Sequence, residues 1–389
     1  MRIGAESSHA SRIGQQQSWL LPRCVVTAFV VLAFILPPLA QTQEHHPYKV
    51  GTVQRAFSPA GSYYWRGAQT HALVTTIWYP AESAADEQPQ WLGNPQAPFA
   101  GLGKAAPDAA LAAAPARFPL IVLSHGTGGS AAMMAWLGTE LAAHGYIAAA
   151  VNHPGNNGTE TYTTQGFLIW WERAKDLSNV IDQMLADKTF SSRIDRKRIG
   201  AAGFSLGGYT MIEIAGGITQ PSLFRDFCKS PQADGICVSP PEFPGLVEKF
   251  AQSEELAKGD PEMQASLRHA TDSYRDPRVR AVFAIAPAAG PAFRPDSLQK
   301  INIPVAIVAG DADTNVPVAS SAQFFAKQIP DAQLTLLPGV GHYTFLAVCA
   351  DQGKKSRPEL CVDAAGVDRE AVHARAVRLA LDFFAAYLK

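Results

Sequence analysis

Short strand-like runs recur along this chain, and most are followed by a segment of helical periodicity. Residues 119–124, Pro-Leu-Ile-Val-Leu-Ser, form a continuous apolar run without alternation. That pattern belongs to a strand buried on both faces, as in a parallel sheet. Further runs occupy 146–151, 198–204, 279–285, 305–309 and 333–337. A β-rich run at 72–79 precedes them and is expected to stop at Pro80. Helices are expected over 131–144 (ending at Gly145), 168–186, 206–214 and about 368–387. In the second of these, Trp171, Leu177, Val180, Ile181 and Leu185 fall near helical spacing. The order predicts an α/β protein: an open, mostly parallel central sheet with helices on both faces.

Two stretches break the rhythm. Residues 81–117, rich in Ala, Pro, Gly and Gln, read as a long surface loop. Residues 217–278 hold Cys228, Cys237, several prolines and a charged helical stretch at 245–270, and read as an inserted cap. The chain has 389 residues, 47% hydrophobic and 17% charged. It is long enough for one large domain with an insertion, or for two domains.

The N-terminus has the parts of an export signal. Arg12 and Arg23 precede an apolar run from Cys24 to Leu36, followed by Pro37-Pro38-Leu39-Ala40 and the polar Gln41-Thr42-Gln43-Glu44. The run is short for a bilayer span, although an uncleaved anchor is the rival reading. Residues 1–40 are therefore expected to be a signal peptide, residues 41–389 the mature domain, and the location secreted or periplasmic. Export leaves Cys228, Cys237, Cys349 and Cys361, an even number suited to disulfides in an oxidising compartment. The local pairs Cys228–Cys237 and Cys349–Cys361 close short loops and are the first choice among three connectivities. Zinc is disfavoured, because neither pair has C-x-x-C spacing. The formal net charge is −1. Three arginines and one glutamate lie within 1–40, so the remainder carries 30 basic and 33 acidic residues, a net of −3. No basic stripe is present, so nucleic acid is not an expected partner. No obligatory protein partner is evident.

Gly203-Phe204-Ser205-Leu206-Gly207 matches G-x-S-x-G where a strand is expected to end and a helix to begin. Such a turn presents a serine above the sheet edge, and its small neighbours leave room for the tight backbone. A serine hydroxyl needs a base to take its proton. His342 lies in a glycine-flanked loop after the last expected strand. His125, His144, His153 and His373 compete with it less well. The base needs an acid to fix its tautomer. Asp311 and Asp313 both follow the run 305–309, and Asp313 is favoured, with Asp311 bracing the turn. The order Ser205, Asp313, His342 follows that of triads on this kind of sheet. An oxyanion would meet the backbone N–H of Leu206 and a second donor from His125-Gly126-Thr127-Gly128-Gly129, for which Thr127 is the choice.

Together these stretches resemble α/β-hydrolases of the dienelactone-hydrolase-like and platelet-activating-factor-acetylhydrolase-like kind. The matching segments are 77–80, 123–128, 152–155, 203–208, 310–317 and 341–342. The resemblance implies an α/β-hydrolase fold and a serine esterase with Ser205, Asp313 and His342 as its triad. It implies a small-molecule or lipid-like ester substrate, and neither a metal nor an organic cofactor. Dienelactone hydrolases carry a cysteine where this chain has Ser205. Animal platelet-activating-factor acetylhydrolases carry their acid after an earlier strand, where this chain has Ala286-Pro287-Ala288-Ala289-Gly290. Polyester and cutin hydrolases share the later acid position. A lipase, a thioesterase or another acyl-transfer enzyme could use the same triad. A non-catalytic binding module would be expected to lose one of its three members.

Overall fold

A strand buried on both faces must supply apolar side chains to two layers at once, and the central strands do so residue by residue. The computed structural model describes residues 47–92, 99 and 103–389, and the segment read as an export signal lies outside them. The strands are β1 Lys49–Phe57, β2 Leu73–Ala81, β3 Gln88–Pro89, β4 Lys104–Pro107, β5 Phe118–Ser124, β6 Ile147–Val151, β7 Ile194–Phe204, β8 Val279–Ile285, β9 Val305–Gly310 and β10 Gln333–Leu337. In β5, Phe118, Leu120 and Val122 join one apolar layer, while Ile121 and Leu123 join the other. In β9, Val305, Ile307 and Ala309 take the first layer, while Ala306 and Val308 take the second. The helices Glu172–Met184 and Leu206–Ile214 cover the first face. Ala135–Ala143 and Arg369–Tyr387 cover the second.

The strand order is β10-β9-β8-β7-β5-β6-β2-β1-β4-β3. From β10 to β6 every pairing is parallel, and β2 joins β6 antiparallel. The chain passes from β5 to β6 on one side and returns to β7 on the other. The strand order therefore reverses beside β5, which places a crevice outside the carboxyl ends of β5 and β7. Ser124 at the end of β5 is in register with Gly203 of β7.

Two local expectations need correcting. The run at 72–79 continues through Pro80 to Ala81. Beyond residues 75–78, which pair with β6, residues 110–112 lie beside the end of β2. The Pro80 carbonyl still accepts the Ala112 N–H at 2.9 Å, and the Ala112 carbonyl facing the proline accepts from the Arg193 guanidinium at 2.7 Å, so the missing proline N–H leaves no orphan. The stretch 81–117 is not all surface loop. Within it β4 pairs parallel with β1, and Ala105 and Ala106 are buried. A four-residue strand rich in alanine carries too little periodicity to stand out. Likewise β1 went unread, because its mix of polar and apolar side chains is that of a strand near a sheet edge.

The charged stretch at 245–270 is three short helices, Leu246–Ala251, Ser253–Leu256 and Pro261–Arg268. The last begins at Pro261, with the Asp260 side chain accepting from the Met263 N–H at 2.9 Å. Cys228 is bonded to Cys237, and Cys349 to Cys361. No described helix is long and apolar enough to cross a membrane.

The Cys228–Cys237 bond ties the helix Pro221–Lys229 to the turn Gly235–Cys237. Closing so short a loop restricts the unfolded chain by about 2–3 kcal/mol. The double variant Cys228→Ser/Cys237→Ser should lower the urea midpoint accordingly. A midpoint equal to that of the parent would show that the bond does not stabilise this segment.

Candidate active site

Ser205 sits between the end of β7 and the start of the helix Leu206–Ile214. Its backbone has φ 56° and ψ −117°, a conformation that strains a side-chain-bearing residue by about 1–3 kcal/mol. The turn is pinned from both sides. The Ser205 N–H donates to the Ile285 carbonyl at 2.8 Å, and the Ser205 carbonyl accepts the Ala288 N–H at 3.1 Å. Its neighbours have no room for side chains. A Cβ on Gly207 would fall 2.0 Å from the Ser124 carbonyl oxygen, and one on Gly203 would fall 2.4 Å from the Gly207 oxygen.

His342 opens the short turn His342–Phe345 after β10. Its Nε2 lies 2.9 Å from Ser205 Oγ, and its Nδ1 lies 2.7 Å from Asp313 Oδ2. Asp313 follows β9. Its other oxygen accepts the N–H groups of Asn315 (3.0 Å) and Val316 (2.7 Å), which fix the carboxylate plane. Asp311 points elsewhere and accepts the Gly339 N–H at 2.7 Å, joining the loops that carry the acid and the histidine.

The loop after β5 completes the mouth. The Gly128 N–H donates to Asn156 Oδ1 at 2.8 Å and the Gly129 N–H to the Gly126 carbonyl at 3.2 Å. The Thr127 N–H has no partner among the described residues. The Leu206 N–H, first in its helix, lacks an intrahelical partner. Thr127, Leu206, Ser205 and His342 all line one cavity of about 260 Å³. The remaining wall is largely aromatic and aliphatic. Trp170 stacks on Phe250 with centroids 4.6 Å apart, and Phe224 meets both edge-on. Phe224, Ile236, Leu246 and Phe250 come from residues 217–278.

Glu242, also in that segment, was not read from the sequence. It lies in the cavity wall with a buried Oε2 that has no partner among the described residues. Burial holds its carboxyl above the ordinary carboxylate range. Nothing local marks it, because a glutamate in a polar, proline-rich insertion looks like solvated surface. Asn156 was also missed, although it follows directly on the segment 152–155 that carried part of the resemblance.

A second Ser-His-Asp chain runs behind the first. Ser124 Oγ lies 2.9 Å from His153 Nε2, and His153 Nδ1 lies 2.7 Å from Asp176 Oδ2. The distances match those at Ser205, yet all three residues are 0% exposed and none lines the cavity. Arg66 donates to both Asp176 oxygens, at 3.0 and 2.7 Å. Burial, and then Arg173 and Arg66, hold the His153 pKa well below its ordinary value, so this ring stays neutral. Ser124 therefore has neither access to a ligand nor a base able to accept its proton. His144 caps a helix, with Nδ1 2.8 Å from the Glu140 carbonyl. Among the described residues, no group of three or more His, Cys, Asp and Glu side chains is disposed to hold a metal ion.

Residues 121–364 match the family model described as Alpha/beta hydrolase family, and residues 41–168 match that of Platelet-activating factor acetylhydrolase, isoform II. The chain is 24% identical over 168 residues to Platelet-activating factor acetylhydrolase of Cavia porcellus, covering 33% of this chain and 36% of that one. It is 33% identical over 97 residues to Cutinase est1 of Thermobifida alba (24% and 29% covered). It is 34% identical over 80 residues to Lipase 1 of Moraxella sp. (21% and 22%). The aligned stretches thus span about a third or less of these relatives. Among solved structures, a ferulic acid esterase from Streptomyces cinnamoneus shares the fold with a TM-score of 0.58 at 20% identity, covering 90% of this chain and 92% of that one.

His373 stacks on Trp136 at 4.3 Å and donates from Nε2 to the Thr344 carbonyl at 3.1 Å. Burial, and then Arg369, lower its pKa from 6.5 to about 4. A histidine buried neutral contributes stability that is complete above pH 6.5 and is lost as pH falls through that window. The thermal midpoint should therefore drop between pH 6.5 and 4, and His373→Gln should flatten that slope. An unchanged slope in the variant would contradict the assignment.

Proposed function

The chain belongs to the alpha/beta hydrolase family, and on that premise we propose that it is a serine esterase cleaving carboxylic esters through an acyl-enzyme. The observation that supports this most is the hydrogen-bonded run Ser205–His342–Asp313 opening on a largely apolar cavity beside two free backbone amides. Ser205 Oγ attacks the ester carbonyl while His342 Nε2 takes its proton. Asp313 holds the Nδ1–H and stabilises the imidazolium. The Thr127 and Leu206 amides receive the oxyanion as charge develops. The alcohol leaves with the proton from His342, and water then repeats the sequence in reverse to release the acid. Every proton and acyl transfer passes between these groups, substrate and water, so the reaction needs no metal or organic cofactor.

The aromatic wall favours an apolar or aromatic ester group. Residues 217–278 act as a cap over the serine and shape substrate choice. The names cutinase, lipase, platelet-activating factor acetylhydrolase and ferulic acid esterase, borne by similar proteins, all denote action on esters. Residues 1–40 direct export, so the mature enzyme acts in the periplasm or outside the cell, where its two disulfides persist.

Ser205→Ala should abolish ester turnover and labelling by an organophosphonate while leaving the fold intact. Unchanged turnover in that variant would overturn the proposal. Asp313→Asn should lower turnover by several orders of magnitude, by analogy with the roughly 10⁴-fold loss in a serine protease whose histidine is left in the wrong tautomer. Asp311→Asn should reduce stability more than rate. The reverse pattern in the two variants would reassign the acid. N-terminal sequencing of protein from the native host should begin near Gln41.

A further inference from the structure

A backbone amide can stabilise an oxyanion only if its peptide plane is held in place, and the Thr127 amide belongs to a glycine-rich loop that does not hold itself. The peptide linking Gly126 to Thr127 is planar and trans, so its N–H points away from its C=O. Whatever clamps the Gly126 carbonyl therefore aims the Thr127 N–H. The carbonyl is clamped by the His125 imidazole, whose Nδ1 lies 2.7 Å away, and more weakly by the Gly129 N–H at 3.2 Å. A carbonyl accepts only, so His125 carries its proton on Nδ1. Its Nε2 in turn accepts the His153 N–H at 3.3 Å, which agrees with that tautomer.

His153 is itself fixed by Asp176 and Ser124, and Asp176 by Arg66. Arg173 closes the circuit, donating to Ser124 Oγ at 3.2 Å and to the His125 carbonyl. Ser124, His125, His153 and Asp176 are all 0% exposed, and Arg66 and Arg173 are 1% exposed. The loop they hold is next to the nucleophile. A Cβ on Gly126 would lie 3.3 Å from Ser205 Cβ.

Building on the esterase reading above, we propose that His125, braced by the buried chain Asp176–His153–Ser124 and by Arg173, is a positioning residue that aims the Thr127 N–H at the developing oxyanion. It touches no substrate and moves no proton during the reaction. Its contribution is felt in the transition state, so its loss should fall on kcat rather than KM.

The test compares His125→Leu with His125→Asn in the full-length mature enzyme. Leucine keeps much of the volume and removes the donor. Asparagine keeps an N–H on the atom bonded to Cγ, as Nδ1 is in histidine. Active sites are titrated with an organophosphonate, and kcat per titrated site, KM and inhibition by a trifluoromethyl ketone are measured. That ketone forms a tetrahedral adduct whose oxyanion occupies the same place. His125→Leu should lose at least about 30-fold in kcat, with KM within threefold, and its Ki for the ketone should rise in proportion; a single lost oxyanion donor sets the upper range, about 10²–10³. His125→Asn should retain kcat within about fivefold. A purely structural role would lower the melting midpoint of His125→Leu while leaving kcat per titrated site within threefold, and that result overturns the proposal. So does an equal loss in both variants. Should His125→Leu fail to fold, Ser124→Ala, which removes the link between His153 and Arg173, is read in the same assays. A loss of at least about fivefold in kcat at constant KM supports the proposal, and kcat within twofold overturns it. Wild-type enzyme that neither turns over esters nor accepts the phosphonate defeats the esterase reading and this one with it. A labelled, active wild type beside an unimpaired His125→Leu defeats this one alone.

Discussion

The positive φ of Ser205 is the constraint around which the molecule is arranged. A residue with a side chain adopts φ 56° only where its surroundings leave no alternative. Here the surroundings are two parallel strands and one helix. The Ser205 N–H is committed to Ile285 at the end of β8, its carbonyl to Ala288, and the helix that follows starts so close to β5 that Gly207 lies against the Ser124 carbonyl. Each contact requires a neighbouring strand end at the same height. The parallel register of β5, β7 and β8 supplies that, which is why the strained turn stands at the reversal of strand order. The acid and the base follow from the same register. β9 ends beside β8 and β10 beside β9, so the loops after them reach the turn without long excursions.

How much of this could be read from the chain depended on whether a feature is local. The strands 119–124 and 305–309 were legible because burial on both faces demands a continuous apolar run, and little else tolerates one. Ser205 was legible because the glycines its turn requires lie within three positions of it, although the contacts that demand them come from β5 and β8. β4 was not, since four residues of Lys-Ala-Ala-Pro owe their conformation to pairing with β1, some fifty positions earlier. Asp311 and Asp313 differ in the hydrogen bonds they accept, and the sequence shows only that two carboxylates follow one strand. Glu242 lay beyond reach for a different reason. Its neighbours in the cavity wall come from elements scattered along the chain, so no window around it carries the signal.

The cavity is built from two kinds of material, and the difference bears on specificity. Its floor, Ser205, His342, Thr127 and Leu206, rests on sheet ends and one helix start. Its walls, Phe224, Ile236, Leu246 and Phe250, stand on short helices joined by proline-rich turns and tied by one disulfide. Chemistry that tolerates little displacement therefore sits on the rigid element. The aromatic and aliphatic side chains of the wall sit on the inserted segment, outside the central sheet. The unpartnered carboxyl oxygen of Glu242 belongs to the second group. In a largely apolar wall, a buried oxygen without a partner penalises a purely hydrocarbon group placed against it.

The two Ser-His-Asp chains show that residue types and distances do not define the chemistry of such a unit. Both have 2.9 Å and 2.7 Å links. What separates them is burial first, and then the charge on the far side of the carboxylate. Asp176 already faces a guanidinium, Arg66, so its negative charge is matched before His153 contributes anything. A proton on His153 would add a third cation to a buried group that also includes Arg173, which burial itself holds down to a pKa of about 9. Asp313 is held instead by neutral backbone N–H groups, from Asn315 and Val316. On the proposed esterase reading, no cation competes with His342 for this carboxylate, which leaves it placed to balance an imidazolium there. The burial that keeps Ser124–His153–Asp176 from acting as a nucleophile also encloses the Arg66–Asp176 ion pair, and a matched, fully buried pair has no reason to rearrange. On the proposed readings, one arrangement of three side chains thus moves a proton where it opens on the cavity and no arginine faces the carboxylate, and holds a loop still where it is buried beside Arg66.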